Sequence, residues 1–151
     1  MLHQILTSVL ASAAVTFAAA LFAKDASTGP VPVPLVTTAE TLVAVGAPLT
    51  VQYTTVKAVI SAWLTLTCGT NTTLVTVRIY RGTTAAGTLI GTAVALTVPA
   101  GPGPGFQIDM KFVDVLTSAG SAQYCMTCQQ TAATANGSVT AALIETELLS
   151  G

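Results

Sequence analysis

The sequence predicts an all-β domain, a two-sheet sandwich of about eight strands, preceded by one apolar N-terminal α-helix. Three observations predict it: apolar and polar residues alternate with period two through most of the chain, turn residues punctuate those runs, and residues 5–23 carry no charge. At 151 residues the chain is one domain's worth, long enough to bury about two-thirds of its unfolded surface without metal or disulfide staples. Hydrophobic residues make up 52% of it and charged residues 7%, with a mean hydropathy of +0.73, which excludes intrinsic disorder. A formal charge of −1 supplies no field for gathering phosphates, so nucleic acid is not an expected partner. What replaces charge is 26 Thr and 25 Ala. Thr is β-branched and faces water without ionising, which suits strands.

The elements follow in chain order. Residues 5–23 (ILTSVLASAAVTFAAALFA) end at Lys24 and Asp25, and as a helix would span about 28 Å, close to a bilayer core. We expect residues 1–26 to form an apolar helix that anchors in lipid or between protein subunits through Ile5, Leu6, Val9, Leu10, Val15, Phe17, Leu21 and Phe22. Small residues four apart, Ser8 with Ser12 and Ala14 with Ala18, suit close helix packing in either setting. An export signal is the alternative, although no basic residue precedes the run. Residues 27–34 (STGPVPVP) read as an extended proline spacer.

Residues 35–151 read as the sandwich. Phe106, Ile108, Met110 and Phe112 alternate with Gln107, Asp109 and Lys111, the pattern of a half-buried strand. The same period runs through Ile60 to Thr67, Val75 to Tyr80 and Gln123 to Cys128. Turn signals at Gly46 to Pro48, Cys68 to Asn71, Arg81 to Gly87, Ala100 to Gly105, Ser118 to Gly120 and Asn136-Gly137 divide these runs. The expected strands are 35–45, 49–56, 58–68, 73–81, 88–98, 105–113, 122–131 and 138–148. Eight such strands suit a jelly roll, with an immunoglobulin-like sandwich also open.

Charge is absent from 82–108 and from 115–144, although about half of those strand positions face away from the core. Neutral faces of Thr, Ser, Ala and Gln can pack against another subunit without burying an ion, and Thr65 and Thr127 are the candidate interface positions. Chemistry is sparse by comparison. The one histidine, His3, precedes the sandwich, so no imidazole serves as a base or zinc ligand there. The carboxylates Glu40, Asp109, Asp114, Glu145 and Glu147 read as a solvated rim, with a calcium role for Asp109 and Asp114 a minor alternative. Gly101, Gly103 and Gly105 alternate with proline and form a loop without the free N–H groups of a phosphate cradle. Cys125 and Cys128 have CxxC spacing, yet on a strand they point to opposite faces. Parity turns Cys68 and Cys128 inward, as free thiols or one disulfide, and leaves Cys125 outside. No catalytic residue, cofactor, metal or small-molecule substrate is expected.

Val77 to Gly91 (VRIYRGTTAAGTLIG), Asp114 followed by Ala119-Gly120 and Tyr124, Gln129 to Gly137 and the closing apolar strand together resemble small β-sandwich structural proteins of viruses and phages. The similarity covers roughly residues 50–148 and consists of turn and strand patterns. It implies a jelly-roll capsid, penton, spike or decoration subunit in a virion, with itself and other virion proteins as partners. The apolar helix departs from soluble decoration proteins, and through residues 5–23 it makes a membrane a further expected partner. Alternatives are a pilin-like filament subunit at the cell surface and a secreted or membrane-tethered extracellular binding module.

Overall fold

The computed structural model describes residues 21–29, 32–35, 39–131 and 136–150. These form eleven strands: β1 (Leu21–Thr28), β2 (Val33–Leu35), β3 (Thr41–Val45), β4 (Leu49–Val51), β5 (Val56–Cys68), β6 (Thr73–Arg81), β7 (Thr88–Val98), β8 (Gly101–Leu116), β9 (Gly120–Ala122), β10 (Tyr124–Gln130) and β11 (Gly137–Ser150). The described residues are all-β, with antiparallel ladders throughout. One sheet runs β1, β11, β5, β8, with β2 also on β11; the other runs β3, β10, β6, β7; β4 and β9 form a short separate pair.

The pairing is nested. β1 and β2 pair with β11, β3 with β10, β4 with β9, β5 with β8, and β6 with β7, so the chain is a ribbon doubled back on itself. Two further ladders, β11 to β5 and β10 to β6, fold that ribbon into two facing sheets. Alternation then builds the core. Val56, Ala58, Ile60, Ala62, Leu64, Leu66 and Cys68 of β5 are all buried, against Val75, Val77 and Ile79 of β6 and Met126 and Cys128 of β10.

Three expectations are corrected here. The helix expected over residues 1–26 is not found where the structure describes that segment: Leu21 to Thr28 is strand β1, in register with Leu149 to Leu143. A short apolar run fits a buried helix and a strand equally well, and the edge of β11 supplies backbone partners that decide it. Leu21 and Phe22 therefore belong to the sheet, while Ile5, Leu6, Val9, Leu10, Val15 and Phe17 lie outside the described residues. Within the expected spacer, Val33 to Leu35 is strand β2 on the same edge, with Pro34 opposite Ser138. An edge tolerates proline because the missing N–H has no ladder to serve on its solvent side. For the same reason the glycine-proline run is strand and not loop: β8 begins at Gly101, opposite Cys68, on the other edge of this sheet.

Gly91 shows how the two sheets meet. The register between β6 and β7 shifts between Val77 and Ile79, and Gly91 there has φ +68°, where an added Cβ would lie 2.7 Å from the Phe112 ring of β8.

Candidate assembly surfaces

The outer face of the first sheet carries five of the chain's eleven Asp, Glu, Lys and Arg residues. Successive cross-strand rows over β11, β5 and β8 read Leu149, Lys57, Val115; Glu147, Val59, Val113; Glu145, Ser61, Lys111; Leu143, Trp63, Asp109; and Ala141, Thr65, Gln107. Thr65 is half-buried in the last row. Val113 and Val115 are 57% and 51% exposed. A shallow concavity of about 340 Å³ forms around Trp63, flanked by Asp109, Lys111 and Glu145. Asp109 points outward here, whereas Asp114, five residues on, turns inward. The two cannot share a cation, and among the described residues no three His, Cys, Asp or Glu side chains gather.

Asp114 is not part of a solvated rim. Its carboxylate, 11% exposed, accepts a hydrogen bond from the Tyr124 hydroxyl at 2.9 Å and pairs with Arg81 Nη1 at 3.3 Å. Asp114 stands on β8 and both partners on the other sheet, so the cluster ties the sheets together at one end. Burial, followed by the bond to Asp114, pushes the Tyr124 phenol well above its usual range. Sequence parity carries this signal: Asp114 shares the phase of Ile108, Met110, Phe112 and Leu116.

On the outer face of the second sheet a second cluster forms over β10. Glu40, just before β3, accepts from the Thr127 hydroxyl and, at 3.3 Å, from the Tyr80 hydroxyl. Arg78 Nη1 lies 3.6 Å from the same carboxylate and donates to Gln129 Oε1 at 3.0 Å. Thr127 is consequently only 1% exposed and cannot be a contact position in this chain. Cys125, expected outside, is buried beside the same group. β10 lies between β3 and β6 and is covered on both faces, so its lack of charge has an intramolecular cause.

All three cysteines are free and buried. Burial, and then the Glu40 charge, push the Cys125 thiol up to about 11 and Cys128 up to about 12; burial also raises Cys68. Thiols held protonated in this way are poor nucleophiles and poor metal ligands.

β7 and its flanks form a charge-free stretch that reaches solvent. Thr88, Leu89, Thr92, Ala95 and Thr97 are exposed along β7, and Phe106 follows at the start of β8. No helix among the described residues is long and apolar enough to cross a membrane.

No family model matches the chain, and no curated protein matches it. Among solved structures, the chain is similar to one titled "Structure of infectious bursal disease virus Gt strain", with a TM-score of 0.36 and 14% identity. The match covers 82% of this chain and 29% of that one, so this chain spans less than a third of its length. A likeness of this size carries no argument about function.

Proposed function

We propose that this chain is a non-enzymatic virion structural protein: a jelly-roll subunit that assembles with itself and other virion proteins through uncharged Thr/Ala-rich surface, anchored by the apolar segment before β1. One observation carries the reading. The exposed part of the sandwich from residue 82 to residue 108, with β7 at its centre, bears no ionisable side chain of the Asp, Glu, Lys, Arg set, while Leu89 and Phe106 are 44% and 41% exposed there. Soluble monomers keep apart partly by charge, and this surface has none. The nested strand order supports the jelly-roll assignment, since a doubled ribbon folded into two sheets is that topology. The buried, protonated thiols and the engagement of Glu40 and Asp114 in structural clusters support a role without catalysis.

Electron microscopy and sedimentation velocity of the full chain test this. Shells, rings or discrete oligomers are expected, and removal of residues 1–20, which spares β1, is expected to leave a folded sandwich that no longer joins them. A monodisperse monomer at high concentration with the N-terminal segment intact overturns the reading.

A second reading is favoured by the Trp63 concavity: a binding module whose ligand rests on the indole between Asp109, Lys111 and Glu145. There Trp63→Ala abolishes ligand binding and leaves assembly unchanged.

A further inference from the structure

We infer that β7 is a pairing edge, and that its occupant is β7 of a second copy of this chain, joined antiparallel about a two-fold axis so that the second sheet continues from one subunit into the next. The inference rests on the assembly reading and names the contact it uses. A sheet edge presents unpaired backbone N–H and C=O groups, and soluble proteins blunt such edges with charge, proline, bulges or short strands. The two sheets have four edges, formed by β1 with β2, β8, β3 and β7.

Three of the four are blunted. The β1 and β2 edge carries Lys24 and Asp25, breaks at Gly29 and contains Pro34. β8 carries exposed Asp109 and Lys111 and has prolines at 102 and 104. β3 is five residues long, slips register between Met126 and Thr127, and has Glu40 at its start. β7 is eleven residues long, with no charge and no proline. Its one irregularity lies near Gly91, and beyond it Val94 to Val98 runs in unbroken register against Val77 to Thr73.

The same features select a second copy as the occupant. A two-fold contact sets the strand against a copy of itself, which penalises a strand carrying charge of one sign and costs a neutral one nothing electrostatically. If the axis passes through Leu96, Ala95 of one copy faces Thr97 of the other. Both are exposed in the single chain and small enough for close strand approach. The contact adds backbone hydrogen bonds on both sides and buries Leu96 and its neighbours more deeply.

The test uses the full chain in three forms: unaltered, with Ala95→Lys and Thr97→Lys, and with Ala95→Glu and Thr97→Glu. Association is followed by sedimentation velocity over a concentration series, and folding by circular dichroism. The unaltered chain is expected to associate, and each charged form alone to need about tenfold or more higher concentration to do so. An equimolar mixture of the Lys and Glu forms is expected to recover association, because opposite charges then face each other. Lys forms that associate like the unaltered chain overturn the edge contact and leave the assembly reading standing. Loss in both forms without recovery on mixing overturns the self-pairing and indicates a different occupant. An unaltered chain that never associates overturns both. Should the charged forms fail to fold, hydrogen exchange on the unaltered chain decides: amides of residues 94–98 slow on concentration if β7 pairs, and unchanged rates overturn the inference.

Discussion

Replacing Tyr124 by Phe tests whether the Asp114 cluster ties the two sheets. The hydroxyl sits on a ring 1% exposed and donates at 2.9 Å to a carboxylate that also faces Arg81. A hydrogen bond to a charged group contributes about 1.5–3 kcal/mol. Phe removes the donor together with its need for a partner and leaves Asp114 with Arg81, so the lower end applies and a loss of about 1–2 kcal/mol is expected. Asp114→Ala does more harm. It leaves the Tyr124 hydroxyl buried without its acceptor, while Arg81, 37% exposed, turns toward water and adds little; the expected loss is about 2–3 kcal/mol. The double variant strands neither group, so its loss should fall short of the sum by about 1 kcal/mol. Urea titration of the four proteins measures this coupling, and the single Tyr124→Phe change should lower Tm by about 2–8 °C in a chain of this size. Losses that add to within about 0.5 kcal/mol would show that the hydroxyl and the carboxylate act independently, refuting the tie.

Two further outcomes follow from the same geometry. The usual thiol value is 9.0, while Cys125 and Cys128 are raised to about 11 and about 12, with Cys68 raised as well. Between those limits the unfolded chain has released protons that the folded chain keeps, so the stabilisation is complete below pH 9 and is lost as pH rises toward 12. The urea midpoint should fall over that window and fall less steeply in Cys128→Ala; a midpoint unchanged from pH 8 to 11 contradicts this. Lysine at Thr127 should unfold or strongly destabilise the monomer, by at least about 1–3 kcal/mol, because the site is closed by Glu40. At half-buried Thr65 the same change should leave the thermal transition within a few degrees and act only on assembly, and equal melting losses at both sites would remove the distinction.

The two corrected interface and thiol assignments share one cause. Period two divides β10 correctly into two faces, with Tyr124, Met126, Cys128 and Gln130 on one and Cys125, Thr127 and Gln129 on the other. It does not say what covers the second face. Glu40 lies 87 residues from Thr127 in sequence, and only the β3 to β10 ladder brings it over the strand. Asp114 differs, since its phase along β8 already turns it inward and only its partners, Tyr124 and Arg81, come from the other sheet. The first strands failed for yet another reason: an apolar run holds no period to read, and β1 exists because the far edge of β11 offers it a ladder.

What the sequence determined by itself is local: the extended backbone, the alternation that fills the core, and strand ends such as those of β6 and β7 that Gly, Pro and Asn set by their own dihedral limits. The all-β class follows from these alone. The tertiary structure decided everything that depends on a partner distant in the chain. That includes the nested ladders, the strand at Leu21 to Thr28, the closing of Glu40 over Thr127 and Cys125, and which strands stand at the ends of the two sheets among the described residues. Hydrogen-bond pairing and burial are properties of two surfaces together, and a single strand's sequence describes only one of them.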